Sequence, residues 1–197
     1  MLSFGVDPGS RNGAIASWDG KALAVFDLPT QERSVAGRLQ HEIDAYNLAD
    51  LIRGMMAQHT VFPQDCCAVI EKVGPWGSDS KIAAANFVGA AREIRGVIKA
   101  LGIPCQEMTV PAWRKLVGVG KCEAGDKGPV VLRANELFPS YIKEWNLKKN
   151  VNRAEAALIA LAGFIHWRTM CSKGESETAS YTVPTAVTYS EKSLKKA

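Results

Sequence analysis

Over its first 28 residues the chain sets apolar runs between turns too short to hold a helix, and this constrains the fold more than any other feature. Residues 2–6 (Leu-Ser-Phe-Gly-Val) and 13–18 (Gly-Ala-Ile-Ala-Ser-Trp) read as strands. Between them lies Asp7-Pro8-Gly9-Ser10-Arg11-Asn12, a dense cluster of turn formers. Asp19-Gly20 closes a second turn into Leu23–Leu28. A parallel connection needs a crossover of a dozen or more residues, so these strands must form a three-strand antiparallel meander.

Further along, helical and extended patterns alternate. From Tyr46 to His59, Leu48, Leu51, Ile52, Met55 and Met56 recur at helical spacing, with Asn47 as the expected cap. Cys66–Val73 is a short apolar run before Gly74-Pro75 and reads as a buried strand. A strand reached through a helix adds parallel to the meander. Asp79–Leu101 carries a long helical pattern ended by Gly102. Ile103–Met108 is then a fifth strand, and Gly128–Leu137 and Asn152–Arg168 are further helices, separated by the Gly/Lys-rich loop Gly118–Gly128. The expected architecture is α/β: a five-stranded mixed sheet, three antiparallel strands plus two parallel ones, flanked by helices.

With 197 residues, 47% of them hydrophobic and 22% charged, one substantial core is expected over residues 1–171, followed by a flexible polar tail over 172–197 rich in Ser, Thr, Glu and Lys. No apolar run reaches membrane-spanning length, and Met1-Leu2-Ser3-Phe4 enters a strand directly, so a cytoplasmic protein without membrane association is expected. The five cysteines form no C-x-x-C pair and read as reduced packing thiols. Lys and Arg exceed Asp and Glu by 24 to 20, which permits a nucleic-acid partner without requiring one.

Three acids stand out by context. Asp7 ends the first strand at a Pro-Gly turn; as a turn residue alone it needs no further role. Glu71 falls within the apolar strand, where a carboxylate costs several kcal/mol unless it is paired, neutralised or bound to a metal. Glu155 opens an otherwise apolar helix and shares a face with Asn152; a capping box between the two is the structural alternative. Two strand acids and one helix acid can converge at one end of a sheet. Such a cluster suits hard divalent cations, and two ions about 3.5–4 Å apart can activate water and stabilise the leaving oxygen of a phosphodiester.

Gly5-Val6-Asp7-Pro8-Gly9-Ser10 with Gly13-Ala14, Val69-Ile70-Glu71, Gly118-Val119-Gly120, Lys127 and Arg153-Ala154-Glu155-Ala156 resemble, in order and spacing over residues 2 to 168, the motifs of RuvC-type resolvases, the phage and organellar branches most of all. The resemblance implies an RNase H-like sheet flanked by helices, a homodimer, dependence on two Mg²⁺ per site with Mn²⁺ as substitute and no small-molecule cofactor, and paired symmetric nicks across a four-way (Holliday) junction. It makes Asp7, Glu71 and Glu155 the acidic ligands and Lys127 the lysine near the scissile phosphate, against the plainer reading of a solvated loop lysine. The family carries a further Asp or His shortly before the last acid; here Asn152 or Asn150 holds that position. An amide oxygen ligates without charge, so one metal should bind more weakly and cleavage should be impaired.

A nucleic-acid surface is expected around these residues. Trp76 follows Glu71 in a Gly-Pro loop beside Lys72 and Lys81, and either stacks on an unpaired base or packs on the next helix. Arg114, Lys115, Lys121 and Lys127 surround the Gly-rich loop, and Lys148 and Lys149 precede the last helix; they are expected phosphate contacts, with a solvated basic face as the default alternative. The Ala/Gly-rich helix at Asp79–Leu101 is either a dimer seam or a helix buried on its own sheet. Alternatives to a resolvase are a junction-binding protein that has lost cleavage, and a nuclease for other branched DNA or structured RNA. A sugar-kinase-like ATPase needs a second Gly-rich phosphate motif and about twice the length, which excludes it.

Overall fold

The computed structural model describes residues 1–9, 11–35, 37–74, 81–120, 123 and 125–174. The meander forms as expected from β1 (Leu2–Asp7), β2 (Ala14–Trp18) and β3 (Leu23–Asp27), all antiparallel. Helix α1 (Ala45–Gln58) carries the chain to β6 (Cys66–Glu71), and α2 (Lys81–Ala100) carries it to β7 (Cys105–Met108). Both later strands add parallel, so the sheet order is β3-β2-β1-β6-β7.

Side chains alternate across β1 and divide the molecule into two cores. Leu2, Phe4 and Val6 face α1 and α2, where Leu48, Ile52, Ile94 and Ile98 are buried with them. Ser3, Gly5 and Asp7 therefore face the opposite side. There α6 (Val151–Gly174) lies across the sheet, backed by α3 (Val110–Val117), α4 (Gly128–Leu137) and the four-residue α5 (Ile142–Trp145).

The approach of α6 depends on small residues. A Cβ at Gly5 would stand 2.0 Å from the Ala160 amide nitrogen and 2.4 Å from the Ala156 carbonyl oxygen. Gly163 is similarly confined by Ser3 and Val69. A side chain at either position would lift the helix from the strands.

Several details differ from the sequence reading. A two-stranded hairpin, β4 (Thr30–Val35) and β5 (Arg38–Ile43), stands apart from the main sheet between β3 and α1. Gln31–Ser34 are exposed, so no alternating apolar face announces it. Helix α3 lies in a stretch with no assigned element; it starts at Thr109-Val110-Pro111 and stops at Gly118, whose φ of 72° is left-handed. The cap of α1 is Asp44, not Asn47: Asp44 Oδ1 accepts from the Asn47 backbone N–H at 3.0 Å, and Asn47 Nδ2 donates back to Asp44 Oδ2 at 2.6 Å. β6 ends at Glu71 rather than Val73, which places that acid at the strand's end and not in its middle. The last helix continues past Arg168 to Gly174; the tail from residue 175 lies outside the described residues.

Cys66, Cys67 and Cys105 are free thiols that burial pushes up to about 11, so they are protonated packing groups. Among the described residues no helix is long and apolar enough to cross a membrane.

Candidate active site

Strand register brings the first two acids together. β1 and β6 run parallel with Gly5 opposite Val69 and Val6 opposite Ile70. One step further lie Asp7 and Glu71, at the carboxyl ends of neighbouring strands and, by alternation, on the side covered by α6. Since α6 crosses β1 where Ala156 and Ala160 meet Gly5, Glu155 reaches the same edge from above.

Asp7 and Glu71 both lie within the influence of the Glu155 charge. Asp7 is only 9% exposed; burial, then repulsion from Glu155 and Glu71, raise its carboxyl well above the ordinary Asp range, with Lys127 opposing. Glu71 is raised by burial and by Glu155, against the hydrogen bond from Trp113 and the nearby charges of Lys127 and Arg114. Glu155 is 5% exposed, and its Oε2 accepts from Lys127 Nζ at 2.5 Å.

Lys127 lies just before α4, where Gly128-Pro129 starts the helix. Its Nζ also donates to Asn152 Oδ1 at 2.8 Å, and Asn152 Nδ2 donates to the Asn12 carbonyl. The capping box between Asn152 and Glu155 is therefore replaced by a shared lysine. Asn150 stands in the turn Lys148–Asn150, its N–H donating to Leu147 O at 2.8 Å, and among the described residues it makes no hydrogen bond to the acids or to Lys127. Of the two asparagines, Asn152 is the one the fold brings to the acidic edge.

One residue of the site has no counterpart in the sequence reading. Trp113 on α3 is fully buried, and its Nε1–H donates to Glu71 Oε2 at 3.0 Å. A buried tryptophan needs a partner for its N–H, which is the only hint the sequence offers. The Arg114 guanidinium lies 5.4 Å from the centre of the Trp113 ring, so this predicted phosphate contact sits near Glu71.

Other predicted contacts are more dispersed. Lys72 directly follows Glu71 and is exposed; Lys115 on α3 and Lys148 and Lys149 before α6 are exposed as well. Trp76 and Lys121 lie outside the described residues, as does the side chain of Lys81, whose backbone opens α2. Arg153, unassigned in the sequence reading, clamps the start of α6: its Nε and Nη2 each donate to Asp27 at 2.7 Å, and Nη1 donates to Glu144 Oε2 at 3.2 Å.

Among the described residues, no three His, Cys, Asp or Glu side chains close into a ready metal shell. The donor chemistry nevertheless suits a hard divalent cation. Every candidate donor is an oxygen, and burial first, then the charge of the neighbouring acids, raises the Asp7 and Glu71 carboxyls, a cost that a bound cation would offset.

The mixed sheet and its flanking helices define the class: the chain has an RNase H-like fold of the RuvC kind. Two solved structures of RuvC from Thermus thermophilus share it. One, in complex with Holliday junction substrate, aligns with a TM-score of 0.54 and 13% identity over 86% of this chain and 96% of that one. The other aligns with a TM-score of 0.51 and 14% identity over 86% and 97%. No protein-family model and no curated protein matches the chain.

Proposed function

We propose that this protein is a metal-dependent DNA endonuclease that resolves four-way junctions by paired symmetric nicks, working as a homodimer with two Mg²⁺ per site. The observation that carries the reading is the meeting of Asp7, Glu71 and Glu155 at the carboxyl edge of adjacent parallel strands, two of them with raised carboxyls. The RuvC-like fold supports it, because one of the similar structures is bound to a Holliday junction.

In this reading Asp7, Glu71 and Glu155 would hold the ions through their carboxylate oxygens. When bound, the ions supply the positive charge that activates water and stabilises the leaving oxygen of the phosphodiester. The chain's own residues do the positioning. Trp113 holds one oxygen of Glu71 in place. Lys127, half exposed, can exchange Glu155 for a phosphate oxygen of the strand and so steer it towards the acids. Lys72, Arg114, Lys115, Lys148 and Lys149 add salt-dependent affinity without sequence preference.

The homodimer rests on α2. Ala90, Ala91, Ile94 and Ile98 are buried within the chain, which accounts for one face of the helix. Ala85, Asn86 and Gly89 are exposed on another, where small residues allow a second copy to approach. A two-fold mate places two active sites with the symmetry of a four-way junction.

Asn152 favours a second reading, a junction-binding protein with impaired cleavage. Its amide is engaged at both ends and adds no charge to the site.

Labelled four-way, three-way and linear duplex DNA, incubated with the purified chain at matched salt with EDTA, Mg²⁺ or Mn²⁺, separates these readings. Nicks paired across the four-way junction, dependent on metal and lost in Asp7→Asn, are expected. A junction shifted in a gel but never nicked in either metal leaves the binding protein; no preference for the four-way substrate sinks both.

A further inference from the structure

Next to the acidic edge lies a cleft of about 800 Å³ between α4, the turn Lys148–Asn150 and the start of α6. Its volume is in the range of small-molecule sites, about 300–1,000 Å³. It is continuous with the acidic edge, because Lys127 and Asn152 both line it and are both hydrogen-bonded in the group around Glu155. Lys127 and Lys148, which line it, are given phosphate contacts in the proposed function, but its apolar wall has no role there.

Its lining is of two kinds. Val131, Leu132 and Val151 contribute apolar wall, and Leu132 is 61% exposed, a large aliphatic side chain left facing solvent. Lys127 and Lys148 contribute positive charge. The first turns of α4 and α6 both contribute to the lining and neither carries an acid, so the positive ends of two helix dipoles lie at the cleft. Asp126 also lines the cleft, with its Oδ1 accepting the Gly128 N–H at 2.8 Å.

An apolar wall beside a cationic rim, adjoining a phosphodiester site, matches a nucleotide. We infer that this cleft receives one unstacked nucleotide of the strand to be cut, its base against Val131, Leu132 and Val151 and an adjoining phosphate at Lys148. The inference rests on the nuclease reading and extends it to substrate choice. Extracting a base from a duplex costs a few kcal/mol, and less where stacking is already broken. A site that fills only when a base leaves its stack thus selects the branch point over continuous duplex.

The test uses four-way junctions carrying 2-aminopurine, which brightens on unstacking, at each nucleotide flanking the crossover in turn. The full chain is added to saturation in EDTA, so that no cleavage intervenes. One position should brighten with the parent chain and stay dark with Leu132→Glu, with Leu132→Ala between them and circular dichroism unchanged for all three. Lys148→Ala should lower the salt slope of junction affinity by about 1. If the junction is bound and no position brightens, or Leu132→Glu brightens as the parent does, the cleft is not a nucleotide subsite and the nuclease reading stands. If the chain binds no junction at all, both fall.

Discussion

Asn152 is held at both ends of its amide, by Lys127 at the oxygen and by the Asn12 carbonyl at the nitrogen, so a carboxylate there would add charge beside Lys127 while giving up the hydrogen bond to Asn12. Asn152→Asp is expected to tighten Mg²⁺ binding and raise junction nicking by about tenfold, the scale on which groups around a metal alter affinity. Asn150→Asp should do neither. Calorimetric Mg²⁺ titration alongside the nicking assay reads both, and an unchanged Asn152→Asp removes the idea that this amide weakens the site. At Glu71 the relevant partner is Trp113. Trp113→Phe keeps a ring in the core while removing the N–H, and a hydrogen bond to a charged group is worth about 1.5–3 kcal/mol. Mg²⁺ affinity should then fall by roughly 10- to 100-fold with the chain still folded. Equal affinity in the two proteins would reduce Trp113 to a packing residue. Position 71 was conspicuous in the sequence because a lone acid in an apolar run demands a reason. Trp113 was not, because the bond joins residues 42 apart on elements that meet only after folding.

The pairing of β1 with α6 decides where the acids go. Alternation along β1 turns Gly5 and Asp7 to one side, and Gly5 lets the helix settle close enough for Glu155 to reach Asp7. Gly5→Ala puts a methyl group where backbone of Ala156 and Ala160 already stands, so its cost should exceed the ~1–3 kcal/mol usual for overpacking. Urea unfolding measures it, and a midpoint near the parent's would show that α6 has room to shift. The first strands and longer helices were legible because their periodicities are backed by burial. The β4–β5 hairpin was not, since it is paired through backbone hydrogen bonds with exposed side chains. Helix α3 was missed for another reason: eight residues are too few for a clear helical pattern.

Taken as a whole, the molecule tolerates a cluster of like charges at one end of its sheet, and this should be visible in its stability. Asp7 and Glu71 hold protons more tightly folded than unfolded, so the metal-free protein loses stability as pH rises from the ordinary carboxylate range through their raised values. Asp27, lowered by Arg153, acts in the opposite sense and at lower pH. In EDTA at neutral pH, Asp7→Asn should melt above the parent, and the two should converge as pH falls towards the ordinary Asp value. A difference that does not vary with pH would place the cause elsewhere. What the sequence determined alone is the local part: turn spacing dictates the meander, periodicity the strands and longer helices, the cost of burying charge marks Glu71, and the order and spacing of the motifs add Asp7 and Glu155 to it. Only the tertiary structure decided that Asn152 rather than Asn150 meets Lys127, that Trp113 holds Glu71, and that a cleft adjoins the acids. Those facts depend on where separate elements cross, and crossing is set by long-range packing to which no single stretch of chain refers.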